Sequence, residues 1–265
     1  MRVELTNGEA YYGVGSGHPD VDANAVVFIH GAGFDHSVWV MPARYFARHG
    51  IRVIAPDLPA HGRSAGPACT SIEGMADWVM ELIDKVVPKN VNTTVVGHSM
   101  GSLVALALAD RHPRHIDEVV LIGTSAPMPV GPPLLEAARD NDHAAYEMAN
   151  TWSHSTPGRL GAAANPGLSN YNSGERWLER NSQDTYFADL AACSAYVEQP
   201  QSLEKRVLVI VGSEDKMTAP RAGLGVAKVL GAEETVVLNG AGHAMLSEQP
   251  NQVLDALSTF ILEHH

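Results

Sequence analysis

The sequence predicts an α/β fold: a mostly parallel, doubly wound sheet of about eight strands with an inserted helical segment. Three observations predict it. Short β-branched apolar runs recur at 26–29 (VVFI), 51–55 (IRVIA), 94–96 (TVV), 119–122 (VVLI), 207–211 (VLVIV) and 235–238 (TVVL), with helix-length stretches between them. Most of these runs are continuous rather than alternating, the pattern of strands buried on both faces of a parallel sheet. A composition of 45% apolar and 18% charged residues over 265 residues suffices for a large core.

In chain order, Asn7-Gly8 lies between two extended stretches and predicts a type I′ hairpin turn, hence an antiparallel edge ahead of the parallel core. The 26–29 strand runs into His30-Gly31-Ala32-Gly33, a glycine-rich turn able to aim a backbone N–H at a neighbouring strand end. After the 51–55 strand comes Pro56-Asp57-Leu58-Pro59-Ala60-His61-Gly62-Arg63-Ser64. Thr70-Ser71-Ile72-Glu73 has capping-box spacing, and behind it Ile72, Met75, Ala76, Val79, Leu82, Ile83 and Val86 form one apolar helical stripe.

The most specific signal is Gly97-His98-Ser99-Met100-Gly101, which follows the 94–96 strand and precedes a small-residue helix over 102–109. The bare Gly-x-Ser-x-Gly match is common, but the strand–turn–helix setting is the one the motif requires. A serine on so tight a turn occupies strained backbone, its hydroxyl projecting above the sheet, and side chains two positions away would collide. The Met100 N–H, first in the helix, and the 30–33 turn are positioned to hold an oxyanion.

From 128 to 201 the rhythm breaks. No strand pattern is visible, and Pro129, Pro132, Pro133, Pro157, Pro166 and Pro200 punctuate helical patches at 134–152 and 175–180. The segment 128–201 reads as a helical insertion into a core made of 1–127 and 202–265. The 207–211 strand leads to Gly212-Ser213-Glu214-Asp215-Lys216, and the 235–238 strand to Asn239-Gly240-Ala241-Gly242-His243. Both groups fall at the carboxyl ends of parallel strands, where open α/β sheets place their sites. A serine nucleophile needs a base, and the base an orienting acid. His243 offers the base; Glu214 and Asp215 both offer the acid. Pro250 opens a last helix with Val253, Leu254, Leu257, Phe260 and Ile261 on one face. Residues 262–265 look like the start of a purification tag, so His264 and His265 are left out of any metal argument.

Charge and composition narrow the functional classes. Eighteen Lys+Arg against 30 Asp+Glu give a net charge of −12, with no basic run, which speaks against nucleic acid and anionic membranes as partners. Cys69 and Cys193 are too few for a disulfide framework or a Cys-based metal site, and two free thiols are expected. No histidine pair has metal-site spacing. The first nine residues lack a long apolar stretch, and no run approaches the ~20 residues of a membrane span. A cytoplasmic protein is the expectation.

Together these motifs resemble the α/β-hydrolase superfamily along nearly the whole chain, with 128–201 in the position of the family's helical cap. Residues 56–64 are similar to the family's Asp-x-x-Gly-x-Gly-x-Ser loop, except that Ala60 stands where glycine is usual. The resemblance implies Ser99 as nucleophile, His243 as general base and Asp215 as acid, the chain order Ser…Asp…His fitting this architecture. It also implies the backbone N–H groups of Ala32 and Met100 as oxyanion donors. Some relatives carry the acid after the preceding strand, where this chain has Gly123-Thr124-Ser125 and no carboxylate. His30, His61 and His98 are expected to shape loops. Trp39, Trp152, Trp177, Tyr171, Tyr186 and Phe187 are expected to pack, any of them also able to line an acyl pocket.

The implied chemistry is acyl transfer on a small or medium hydrophobic ester, suited to an apolar insertion containing Met128 and Met148. It needs no metal or organic cofactor, and its partner is a small-molecule substrate. Arg139, Arg159, Arg176 and Arg180 are expected on solvated faces rather than on a substrate carboxylate. The same residues accommodate C–C bond hydrolysis, cofactor-free perhydrolysis, or a non-enzymatic signal-ligand receptor.

Overall fold

A computed structural model describes residues 1–17, 19–161, 169–180, 184–198 and 200–263; His264 and His265 lie outside the described residues. Eight strands form one sheet: β1 (Arg2–Leu5), β2 (Gly8–Gly13), β3 (Ala25–Ile29), β4 (Arg52–Pro56), β5 (Thr93–His98), β6 (Glu118–Ile122), β7 (Arg206–Gly212) and β8 (Glu234–Leu238). Their order across the sheet is β1-β2-β4-β3-β5-β6-β7-β8. Strands β3 to β8 are parallel, and β1 and β2 make the antiparallel edge. The continuous apolar runs account for this order: Val26, Val27, Val95, Val96, Val119 and Val209 have no exposed surface. At the far edge, β8 alternates instead, and Val237 is 44% exposed.

Helices α1 (Val40–Arg48), α2 (Ile72–Val86) and α3 (Met100–Arg111) follow β3, β4 and β5 in turn. Between β6 and β7 come α4 (Pro132–Arg139), α5 (Ala144–Ser153), α6 (Thr156–Arg159), α7 (Asn170–Leu178) and α8 (Thr185–Ala195). Helix α9 (Pro220–Leu230) follows β7, and α10 (Met245–Glu248) and α11 (Pro250–Leu262) follow β8. α2, α3 and α9 cover one face of the sheet. α1 and α11 cover the other, where Phe28 packs against Trp39 and Phe46. The segment between β6 and β7 has its own small apolar cluster of Leu134, Ala138, Ala145, Ala149, Leu178, Tyr186 and Leu190.

Three local expectations are corrected. The hairpin loop is Thr6-Asn7, with Gly8 already paired to Leu5. Neither loop residue has positive φ, so the turn is not type I′, which needs positive φ at both. The cap of α2 is Ser71 rather than Thr70: the Ser71 hydroxyl accepts from the Gly74 N–H at 3.1 Å. The helical patch at 134–152 is two helices, broken where Asn141 adopts φ 54°. Ala60 keeps the left-handed backbone (φ 66°) that glycine adopts without strain. Both cysteines are free thiols. Among the described residues, no helix is long and apolar enough to cross a membrane.

Candidate active site

Ser99 sits between β5, the middle of the parallel sheet, and α3, with φ 55° and ψ −122°. This conformation costs a side-chain-bearing residue about 1–3 kcal/mol and persists only where its surroundings enforce it. Here they do. The Ser99 N–H donates to the Ile122 carbonyl at 2.9 Å, and the Ser99 carbonyl accepts from the Ser102 N–H at 2.8 Å and the Ser102 hydroxyl at 2.6 Å. The Ser102 hydroxyl also lies 2.9 Å from the Thr124 hydroxyl. A Cβ on Gly97 would strike the Gly101 carbonyl, and one on Gly101 the Ile29 and His30 carbonyls, so the bend tolerates only glycine on either side.

His243, in the loop after β8, donates from Nδ1 to Asp215 Oδ2 at 2.7 Å, in the loop after β7. Both side chains are almost fully buried. Asp215 Oδ1 accepts the Met217 and Thr218 N–H groups, each at 2.8 Å, and the Thr218 hydroxyl donates to Oδ2 at 2.8 Å. Burial opposes the Asp215 charge, but His243 and the Thr218 donors outweigh it and hold its pKa below the usual carboxylate value. A carboxylate at Nδ1 fixes the ring proton there and leaves Nε2 as the basic atom. Glu214 is exposed and takes no part in this pairing.

Ser99 and His243 line one cavity of about 510 Å³ between the sheet's carboxyl edge and the helices that follow β6. Among the described residues, the Ser99 hydroxyl makes no hydrogen bond to the His243 ring, although both line the same cavity. Such bonds are commonly long before substrate binds. Ala32 lies on the same wall, and Met100 is the first residue of α3. Among the described residues, neither N–H has an acceptor.

The three loop histidines act as struts. His30 donates from Nδ1 to the Gly31 carbonyl at 2.9 Å and accepts the Leu58 N–H on Nε2 at 3.1 Å. His98 donates from Nε2 to the main-chain carbonyl of His243 at 3.0 Å, tying the neighbour of Ser99 to the loop that carries His243. Burial, with a neighbouring imidazole second, lowers the His30 pKa to about 4 and that of His98 to about 3, so both are neutral. His61 donates to the Pro59 carbonyl at 3.0 Å and to Asp189 at 2.8 Å.

Of the aromatic candidates, Trp152 and Tyr186 line the cavity, and Trp177 lines a smaller neighbouring one. Trp39 is core, Tyr171 bonds Thr151, and Phe187 packs on the insertion's own cluster. Arg139, Arg159, Arg176 and Arg180 are exposed and absent from the wall, whereas Lys216 is one of its residues. Two clusters, Asp35-His36-Asp57 and His143-Glu147-Glu175, bring potential ligand atoms within 4.8 Å of one another. Neither lies on the cavity, and Asp57 already accepts the His36 and Arg63 amides and the His36 ring.

Sequence reasoning missed Thr218, Asp189 and Glu248. Thr218 had a faint signal, since Asp followed closely by Thr suits a side-chain-capped turn. Glu248 Oε1 accepts the Ser155 N–H at 2.8 Å and Oε2 the Gly242 N–H at 2.6 Å, joining the insertion to the loop that carries His243. Nothing in the sequence distinguishes Asp189 or Glu248 from a solvated helix carboxylate.

Comparison with known proteins places this geometry. Over 255 residues the chain is 24% identical to Protein ABHD8 of Bos taurus, covering 89% of this chain and 55% of that protein. A shorter stretch of 101 residues is 41% identical to a pimeloyl-(acyl-carrier protein) methyl ester esterase of Aromatoleum aromaticum, covering 38% of this chain and 37% of that enzyme. The matches thus span about half or less of these curated relatives. In fold, the chain is similar to the enol-lactonase of Burkholderia xenovorans (TM-score 0.84, 22% identity, 98% of this chain and 99% of that one). The sequence profile described as "Alpha/beta hydrolase family" matches residues 26–256. With that profile running from β3 to α11 and taking in every residue that lines the cavity, the chain belongs to the alpha/beta hydrolase family.

Proposed function

We propose that the protein is a serine hydrolase that cleaves a small or medium hydrophobic carboxylic ester through an acyl-enzyme. One observation carries this reading: a strained serine and a carboxylate-paired histidine face the same largely apolar cavity. Ser99 Oγ attacks the ester carbonyl while His243 Nε2 takes its proton. Asp215 holds the imidazole tautomer and stabilises the imidazolium. The Ala32 and Met100 N–H groups hold the oxyanion. As the intermediate collapses, His243 returns the proton to the leaving alcohol; water, activated by the same nitrogen, then releases the acid. Met128, Leu134, Trp152, Tyr186 and Leu190 surround the acyl chain, and the cavity volume of about 510 Å³ limits its size. The similarity to a methyl ester esterase is in keeping with this.

The test is covalent labelling with a fluorophosphonate, followed by p-nitrophenyl esters of increasing acyl length. The parent labels and prefers short to medium chains. Ser99→Ala loses labelling and about 10⁶ in turnover, the scale of such knockouts. A variant as fast as the parent overturns the nucleophile. A parent that labels with no ester, yet binds small ligands, overturns the enzyme reading in favour of a receptor.

A further inference from the structure

The helices between β6 and β7 reach the oxyanion turn through one buried carboxylate. Asp189, in α8, is fully buried. Its Oδ2 accepts both the Gly33 N–H and the His61 Nε2–H, each at 2.8 Å. His61 Nδ1 faces the Pro59 carbonyl, so both ring nitrogens point at acceptors and both carry protons. Burial disfavours that charge, but Asp189 raises the His61 pKa above its ordinary value.

The same turn is gripped by packing. Gly33 has φ 70°, and a Cβ there would come within 2.7 Å of the Tyr186 ring and 2.9 Å of Leu178 Cδ2. On the other side of Ala32, His30 holds the Gly31 carbonyl at 2.9 Å. Peptide planarity turns these contacts into aim. The Gly31 carbonyl and the Ala32 N–H belong to one plane and point opposite ways. The Ala32 carbonyl and the Gly33 N–H belong to the next plane. With His30 holding the first and Asp189 the second, both dihedrals of Ala32 are set.

We propose that Asp189 is a positioning residue through which the inserted helix α8 holds the Ala32–Gly33 peptide, and so keeps the Ala32 N–H directed at the oxyanion. The inference rests on the ester-hydrolase reading above. It makes the insertion a part of turnover as well as of substrate fit. The cationic His61 matters here too: an uncompensated carboxylate beside the turn would oppose the developing oxyanion.

The experiment compares Asp189→Ala, which removes the acceptor, with Asp189→Asn, whose amide oxygen replaces it. Rates are taken per fluorophosphonate-labelled site, so that misfolded protein does not count. Asp189→Ala is expected to lower kcat about 10²-fold, the scale of one lost oxyanion donor, with KM within about threefold. Affinity for a trifluoromethyl ketone, which forms a tetrahedral adduct on Ser99, falls by the same factor, while affinity for the product acid is unchanged. Asp189→Asn restores kcat to within about tenfold of the parent. A merely structural Asp189 lowers thermal stability and the labelled fraction but leaves kcat per site and ketone affinity at parent values, and that result overturns the proposal. Should Asp189→Ala not fold, Asp189→Ser, a bond too short to reach Gly33, is read by the same quantities. A parent without esterase activity defeats the ester reading separately. Asp189 is then judged by amide exchange over 31–34, which rises at least about tenfold in the variant or rules the hold out.

Discussion

The two walls of the cavity are built by different means. On the sheet side, Ser99, Ala32 and Met100 are placed by main-chain geometry: a strained bend, glycines with no room for a Cβ, and strand ends in fixed register. On the insertion side, Leu134, Trp152, Tyr186 and Leu190 are placed by side-chain packing in a small cluster of its own. Backbone placement leaves few sequences that keep it, whereas side-chain packing leaves many. Under the proposed function, reaction machinery sits on the first wall and substrate fit on the second.

The strongest way to break this contrast is to perturb each wall by one side chain. Gly97→Ala pushes a Cβ into the Gly101 carbonyl and moves the bend, and turnover on the best ester should drop by about 10²-fold or more. Trp152→Ala opens the other wall and should shift acyl-length preference and KM, leaving kcat within about tenfold. Steady-state kinetics of the two variants on one ester series checks both. If Trp152→Ala is the more damaging to kcat, the division of labour is wrong.

Next in size is the seam between the walls. Glu248→Gln replaces the carboxylate that joins the Ser155 and Gly242 amides, and urea unfolding should show a loss of about 1.5–3 kcal/mol. An unchanged midpoint would mean that the insertion is held without it.

Acid sharpens the comparison through opposite signs. His30 and His98, on the sheet side, have folded pKa values near 4 and 3, below the ~6.5 of an unfolded histidine. The unfolded chain therefore takes up these protons first. Their stabilising contribution is complete above about pH 6.5 and is lost as pH falls toward 4. Exposed His143, on the insertion, has its pKa raised, chiefly by Glu179. Its small contribution is present below about pH 6.5 and lost as pH rises through the raised value. Thermal melts from pH 7.5 to 5 should show the midpoint falling by more than about 5 °C, with a shallower fall in His98→Asn. A flat profile contradicts neutral burial of these rings.

The smallest expected effect is a gain. Ala60→Gly relieves positive φ in the 56–64 loop and should raise stability by about 0.5–1 kcal/mol in the same urea assay. A loss there would show that the alanine methyl has a packing role.

The contrast also explains what could be read from the chain alone. That Ser99, Asp215 and His243 gather at one edge of the sheet was legible because each lies in the bend or loop that follows an apolar strand. The sheet itself was legible because its central strands carry near-continuous apolar runs, such as 26–29, 119–122 and 207–211. Asp189 and Glu248 were not, because their partners, Gly33 and His61 or Ser155 and Gly242, meet them only through helix packing that local spacing does not encode. Thr70 and Ser71 offered two adjacent hydroxyls for one cap, and local pattern does not choose between neighbours.

The strut from His98 to the carbonyl of His243 carries a consequence for engineering. A designer who transplants the Ser99 bend into another sheet, and keeps only the pentapeptide's glycines and serine, leaves behind the ring that ties the bend to the loop carrying His243. Copying that ring together with the carbonyl it grips transfers the tie as well.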